Sequence, residues 1–225
     1  MTLKLNGSSS GSVSIDAPAS TTSGADITFK LPVADGTANQ VVKTDASGNL
    51  AFQAPGAYVK LATVANTSAQ ASISHDVFDS NLYSAYHFIG AMKPATDGTH
   101  LYFRWRASSA DLTVSTYDYG QMYTYPNDQY YSESDDDQNR MELIQNAGNS
   151  TREGWRLNMW MYPLTTGTLG NYCTWSGCRL DENNKIRTVQ GSGIYDADTQ
   201  CTGFSIYSSS GDFAEIRYSL YGLRI

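Results

Sequence analysis

Between positions 117 and 137 the chain crowds six tyrosines (Tyr117, Tyr119, Tyr123, Tyr125, Tyr130 and Tyr131) against Asp128, Glu133, Asp135, Asp136 and Asp137. Aromatic faces stack on sugar rings while carboxylates fix hydroxyls, so this composition suits carbohydrate contact. Tyrosines with polar neighbours on loops also serve protein recognition. The residues expected at such a contact are Tyr125, Asp128, Tyr130, Tyr131, Asp135, Asp136 and Asp137. A plainer reading is preferred: residues 117–125 form a sheet surface and residues 132–139 a solvated acidic loop. Asp135, Asp136 and Asp137 could offer oxygens to Ca²⁺, but consecutive carboxylates point in different directions and the alternating spacing of a Ca²⁺ loop is missing. No metal or other cofactor is expected.

Other chemistry is sparse. His75, His87 and His100 share no ligand spacing, and His87, between Tyr86 and Phe88, reads as structural. Cys173 and Cys178 lie five apart in a strand-like run, on opposite faces, poorly placed to share zinc. With Cys201 they make an odd set, which excludes a scaffold of fully paired disulfides; buried thiols are expected. No Gly-x-Ser-x-Gly elbow, phosphate loop or His-Glu-x-x-His helix occurs. The formal charge of −7 argues against a nucleic-acid partner, the nearest basic pairing being Arg104 and Arg106 on one strand face. No apolar run is long enough to insert in a membrane, and residues 1–5 lack an apolar leader, so synthesis in a cytoplasm is expected.

The elements that must position these residues fall into two compositions. All sixteen tyrosines and all four tryptophans follow residue 56, with Pro55-Gly56 at the join. Residues 1–56 hold only twelve large apolar residues, Met1 aside. They alternate in short strands: Val13 and Ile15 on one face of 12–17, Ile27, Phe29 and Leu31 on one face of 25–31. A turn cluster at 45–49 separates Val41-Val42-Lys43 from Leu50-Ala51-Phe52. So little apolar surface cannot offset the entropy of ordering the segment alone. A flexible linker needs no face, so the alternation favours a shaft whose core several chains share. Its expected core is Val13, Ile15, Ile27, Phe29, Leu31, Val41, Leu50 and Phe52.

Residues 57–225 are denser. Leu101, Phe103, Trp105 and Ala107 alternate with Tyr102, Arg104 and Arg106. Trp155, Leu157, Met159 and Met161 share a side of 155–162, and Ile216, Tyr218 and Leu220 a side of the last strand. Further strands are expected at 58–64, 69–74, 85–91, 116–125, 141–144, 172–180, 185–190 and 204–207. No helical period appears, although 76–83 could form one turn. About ten short strands point to an all-β, two-sheet sandwich of jelly-roll type.

Two passages carry a resemblance. Residues 11–19 (Gly-Ser-Val-Ser-Ile-Asp-Ala-Pro-Ala), Ile27-Thr28-Phe29-Lys30-Leu31-Pro32 and Thr44-Asp45-Ala46-Ser47-Gly48-Asn49-Leu50 form the first. The second joins Phe78-Asp79-Ser80-Asn81-Leu82-Tyr83, Pro94-Ala95-Thr96-Asp97-Gly98 and Leu101-Tyr102-Phe103-Arg104 to Phe204-Ser205-Ile206-Tyr207-Ser208-Ser209-Ser210-Gly211 and Leu220-Tyr221-Gly222-Leu223. Together they resemble tail-fibre and other virion proteins of marine bacteriophages, over most of the chain. The resemblance implies a homotrimer, with residues 1–56 an intertwined β stalk meeting other virion proteins and residues 57–225 a β-sandwich head facing a host-surface glycan or protein. It implies a place on the exterior of the virion, tail or capsid, after synthesis in the bacterial cytoplasm, and it carries no catalytic motif. With Met1 close to the first strand, no large anchoring domain is expected. The alternatives are a capsid head fibre or decoration protein without a receptor, and a polysaccharide-degrading tail spike.

Overall fold

The computed structural model describes the chain apart from residues 1–2, 7–9, 16–18, 20, 22–23, 25, 38–39, 46, 54–55, 126–128, 164–169 and 182. It is all-β, built from antiparallel sheets, and divides into two units, Met1–Pro55 and Gly56–Ile225.

The smaller unit contains two hairpins. β1 (Leu3–Asn6) pairs with β2 (Ser12–Ile15), and β3 (Val41–Thr44) with β4 (Leu50–Gln53). The second turn closes through its own side chains. Asp45 Oδ1 accepts the amides of Ser47 (2.8 Å) and Asn49 (3.1 Å), and Gly48 takes φ +85°, a conformation that strains any residue with a Cβ. Of residues 25–31, expected as a strand, the described ones form only an isolated parallel bridge, at Lys30. Its amide donates to Gly48 O and its carbonyl accepts from Leu50 N, both at 2.8 Å. Alternation supplies a face, but a ladder also needs a neighbour, and among the described residues Ile27, Phe29 and Leu31 have none and lie exposed. Val41 and Phe52 are also exposed, and Leu50 is half-buried. The side chains of Val13 and Ile15 lie outside the described residues.

The larger unit is formed by β5 (Tyr58–Asn66), β6 (Ser72–His75), β7 (Tyr83–Pro94), β8 (Thr99–Ala107), β9 (Ala110–Asp111), β10 (Tyr117–Tyr125), β11 (Gln129–Gln138), β12 (Met141–Ala147), β13 (Gly154–Tyr162), β14 (Asn171–Leu180), β15 (Ile186–Tyr195), β16 (Gly203–Ser208) and β17 (Phe213–Arg224). One sheet has eight strands in the order β11-β10-β15-β14-β13-β7-β17-β5. The other runs β12-β8-β16-β6, with β9 beside β8.

Strict alternation explains the burial. Leu101, Phe103 and Trp105 of β8, and Trp155, Leu157, Met159 and Met161 of β13, point from opposite sheets into one apolar cluster. Phe204 lies parallel to Phe103 and Phe78 and meets Phe88 edge-on, so aromatic rings fill much of the space between the sheets. Close contact also limits residue choice on the cluster's border. A Cβ on Gly191 would stand 2.4 Å from the buried Trp175 ring.

A further sequence expectation changes here. Residues 132–139 are not a loop but most of β11, the edge strand of the large sheet, held by its ladder to β10 from Tyr125↔Gln129 to Tyr117↔Gln138. Within 76–83 the expected single turn lies at Asp79–Tyr83, where the Leu82 and Tyr83 amides both donate to Asp79 O (3.1 and 3.0 Å).

Candidate functional site: the outer face of the eight-stranded sheet

The inward face of the large sheet is committed to the core; its outward face forms cross-strand rows. Pairing registers align Ser132, Met122, Gln190, Ser176, Asn158, Ile89, Ser219 and Thr63 from one edge of the sheet to the other. One residue pair along the strands, Tyr130, Thr124, Thr188, Cys178, Arg156, Ala91, Arg217 and Ala65 form the adjacent row. All eight strands line one trough of 1110 Å³, so edge strands β5 and β11 are walls of the same depression and the sheet is concave outward. A second hollow of 620 Å³ adjoins it, sharing Met122, Asn158, Ser176 and Gln190.

An aromatic strip occupies one part of this face. Trp160 and His87, paired across β13 and β7, stack with centroids 4.1 Å apart and planes 6° from parallel. Tyr58 meets both rings edge-on, at 5.9 and 6.1 Å, and contacts Tyr221 in the same way. Tyr162 continues the strip parallel to Trp160 at 6.5 Å. His87 is fixed by its Nε2, which donates to Asn158 Oδ1 at 2.5 Å. Rigid, partly exposed rings beside hydroxyl and amide side chains can stack on a sugar ring and bond its hydroxyls.

The sequence-predicted contact residues do not assemble here as a group. Because β11 is a strand, its neighbours alternate between faces. Tyr130, 80% exposed, points into the trough, and Asp136 shares its outward phase. Tyr131 and Asp135 point the other way. Tyr131 stacks on Tyr123 (5.6 Å) and meets Tyr125 edge-on (4.9 Å), while the Arg187 guanidinium lies 3.6 Å over the Tyr125 ring. Asp135 accepts the Tyr119 hydroxyl at 2.8 Å. Asp137 takes φ +56°, its amide donating to Asp118 Oδ1 at 2.8 Å. Asp128 lies outside the described residues. The cluster is thus one outward tyrosine, an inward aromatic patch and a set of edge carboxylates.

Inward of the same edge runs a polar network. Glu133 accepts from Gln121 (3.4 Å) and from Gln145, and its carboxyl is raised by burial and by the Glu142 charge. His100 Nδ1 lies 2.8 Å from Glu142 Oε2, which raises the imidazole above its ordinary value. His75 instead pairs with the Tyr218 hydroxyl (2.8 Å) and is lowered by burial. The three histidines therefore have three separate partners. Cys173 is buried with its thiol pushed up by burial, Cys201 is buried likewise, and Cys178 lines the trough. Arg106 is held by Asp76 and Asp111, and Arg104 lies over Tyr207. Among the described residues no cluster of His, Cys, Asp or Glu could hold a metal, and no helix is long and apolar enough to cross a membrane.

No family model, curated protein or solved structure matches this chain. Sequence reasoning missed the Trp160–His87 strip. Its one visible signal was a tryptophan at a polar-phase position of 155–162, between the buried Met159 and Met161.

Proposed function

We propose that the chain is a subunit of a homotrimeric bacteriophage fibre on the virion exterior. Residues 1–56 form its β stalk and attachment module, and residues 57–225 a jelly-roll head that binds host-surface glycan. Strand order supports the jelly roll. From β5 to β8 successive strands alternate between sheets, giving β5-β17-β7-β13 in one and β6-β16-β8-β12 in the other, with the first and last strands of the roll side by side in one and the second and second-last in the other. Strands β10, β11, β14 and β15 widen the first sheet into the trough. The exposed Ile27, Phe29, Leu31 and Val33 support the shared stalk, because apolar side chains left in water by one chain are stabilised by burial against copies. The bacteriophage setting rests on the sequence resemblance alone.

The observation that carries the binding function is the trough walled by all eight strands, with the Trp160–His87–Tyr58 strip beside it. One head holds a sugar weakly; three heads on one stalk hold a surface firmly through effective concentration. The test is a glycan array probed with the full chain and with Trp160→Ala. Wild type should bind a subset of glycans and the variant about five- to thirtyfold less, since stacking contacts of this kind contribute on the order of 1–2 kcal/mol. Equal binding by a folded variant defeats the assignment of the face. Exposed Ile89 and Met122 on the trough floor favour a second reading, in which a neighbouring virion protein covers this face and the chain is a structural component without a receptor.

A further inference from the structure

The charge on the outer face is uneven. The side chains lining the trough include Arg156 and Arg217 and, among the described residues, no aspartate or glutamate. Lys93 stands at the same end of the strands, opposite Glu215 in the β7–β17 ladder. Glu215 accepts from Arg217 Nε at 2.8 Å. That hydrogen bond, then the positive charges of Arg217, Lys93 and Arg156, hold its carboxyl below the usual range, so three cations surround one anion. Three positive charges less one negative leaves two in excess, on a chain whose net charge is −7.

The spacing is suited to a small anion. Arg156, Ala91 and Arg217 are consecutive in one cross-strand row, so the guanidiniums flank a methyl group with backbones about 10 Å apart. Among the described residues Arg156 donates from Nη1 to Trp155 O (2.9 Å) and Arg217 from Nε to Glu215, which leaves both forks with further donors to offer. Planar guanidinium forks suit carboxylate and sulfate oxygens. Along β13 the outward residues run Arg156, Asn158, Trp160, so the cationic end lies about 13 Å from the ring stack, with amide and hydroxyl groups between.

We propose that the trough and the hollow adjoining it together take an anionic polysaccharide, one sugar ring stacked at Trp160 in the hollow and the carboxylate or sulfate ester of another held between Arg156 and Arg217 in the trough. The proposal rests on the glycan-binding reading and specifies its ligand. An acidic peptide would satisfy the arginines but leave the ring stack without a flat partner.

The test uses the full chain and two matched pairs: polygalacturonate against its methyl ester, and dextran sulfate against dextran, with polyglutamate as the peptide probe. In at least one pair the anionic member should bind about tenfold tighter, the pair identifying carboxylate or sulfate. Arg156→Gln/Arg217→Gln should bring that pair to near parity, while Trp160→Ala weakens both members alike. Should the double variant not fold, the anionic preference of wild type must instead fall about tenfold between low and high salt. Parity within both pairs, with sugars bound, overturns the anionic inference and leaves glycan binding standing. Polyglutamate bound as tightly as the best polysaccharide overturns it in favour of charge alone. Binding to no sugar, here or on the array, overturns the glycan reading itself.

Discussion

His100 and His75 show how one residue type titrates in opposite senses within one head. His100 is raised by its hydrogen bond to Glu142, so its contribution to stability is complete below the ordinary value of 6.5 and fades as pH climbs through the higher folded-state value. His75, depressed by burial, contributes above 6.5 and loses that contribution as pH falls. The two act in opposite senses in a whole-protein melt, so the pair at His100 must be isolated. The melting temperature of wild type should exceed that of His100→Gln most clearly below pH 6.5, and the gap should narrow on the alkaline side. For a partly exposed pair the effect is on the order of 1 kcal/mol, or about 2–4 °C in a domain of this size. A gap that does not vary with pH would remove the ion pair as its cause.

At the scale of elements, β11 is an edge strand managed by charge and polarity. It presents Ser132, Ser134 and Asp136 outward and Glu133 and Asp135 inward. An edge offers unpaired backbone groups to any neighbouring chain, and charged side chains discourage that pairing. Ser132→Val/Ser134→Val/Asp136→Val should leave the β spectrum intact and raise light scattering several-fold on incubation. Unchanged scattering would show that this edge is guarded by something else.

The same strand explains what the sequence disclosed and what it hid. β8, β13 and β17 were legible because every second residue is large and apolar and faces the core. β11 was not, because its inward positions are Tyr131, stacked on Tyr123, and Glu133 and Asp135, satisfied by Gln121, Gln145 and Tyr119 through hydrogen bonds that hydropathy does not register. The trough was invisible for another reason. Ile89 and Met122 apart, its floor is made of polar and small residues that alternation assigns to solvent, and only the register of eight strands, most not adjacent in the chain, brings them together. For the same reason the tyrosines and aspartates of 117–137, dense in sequence, were a poor guide to a shared surface.

For the whole molecule, assembly is the open physical question, and the smaller unit frames it. Ile27, Phe29, Leu31 and Val33 each expose more than half their surface in the single chain. Sedimentation of the full chain at micromolar concentration should give a trimer, and Ile27→Ser/Phe29→Ser/Leu31→Ser should shift it toward monomer without altering the near-ultraviolet signal of the tryptophans, all of which lie in the larger unit. A monomeric wild type would withdraw the trimeric stalk.

Tyr58 faces Leu223 across the β5–β17 ladder, and the Arg224 amide donates to Ala57 O at 2.8 Å. Chain entry into the larger unit and its last residues therefore share one border. The opposite border holds short connections that pass from one sheet to the other, among them residues 95–98, 148–153 and 209–212. The Arg156 end of the trough opens toward these bends. Loops there can be exchanged or lengthened without rethreading a strand, so on the proposed binding reading the larger unit could be retargeted to a new surface by editing short peptides while its framework stays the same.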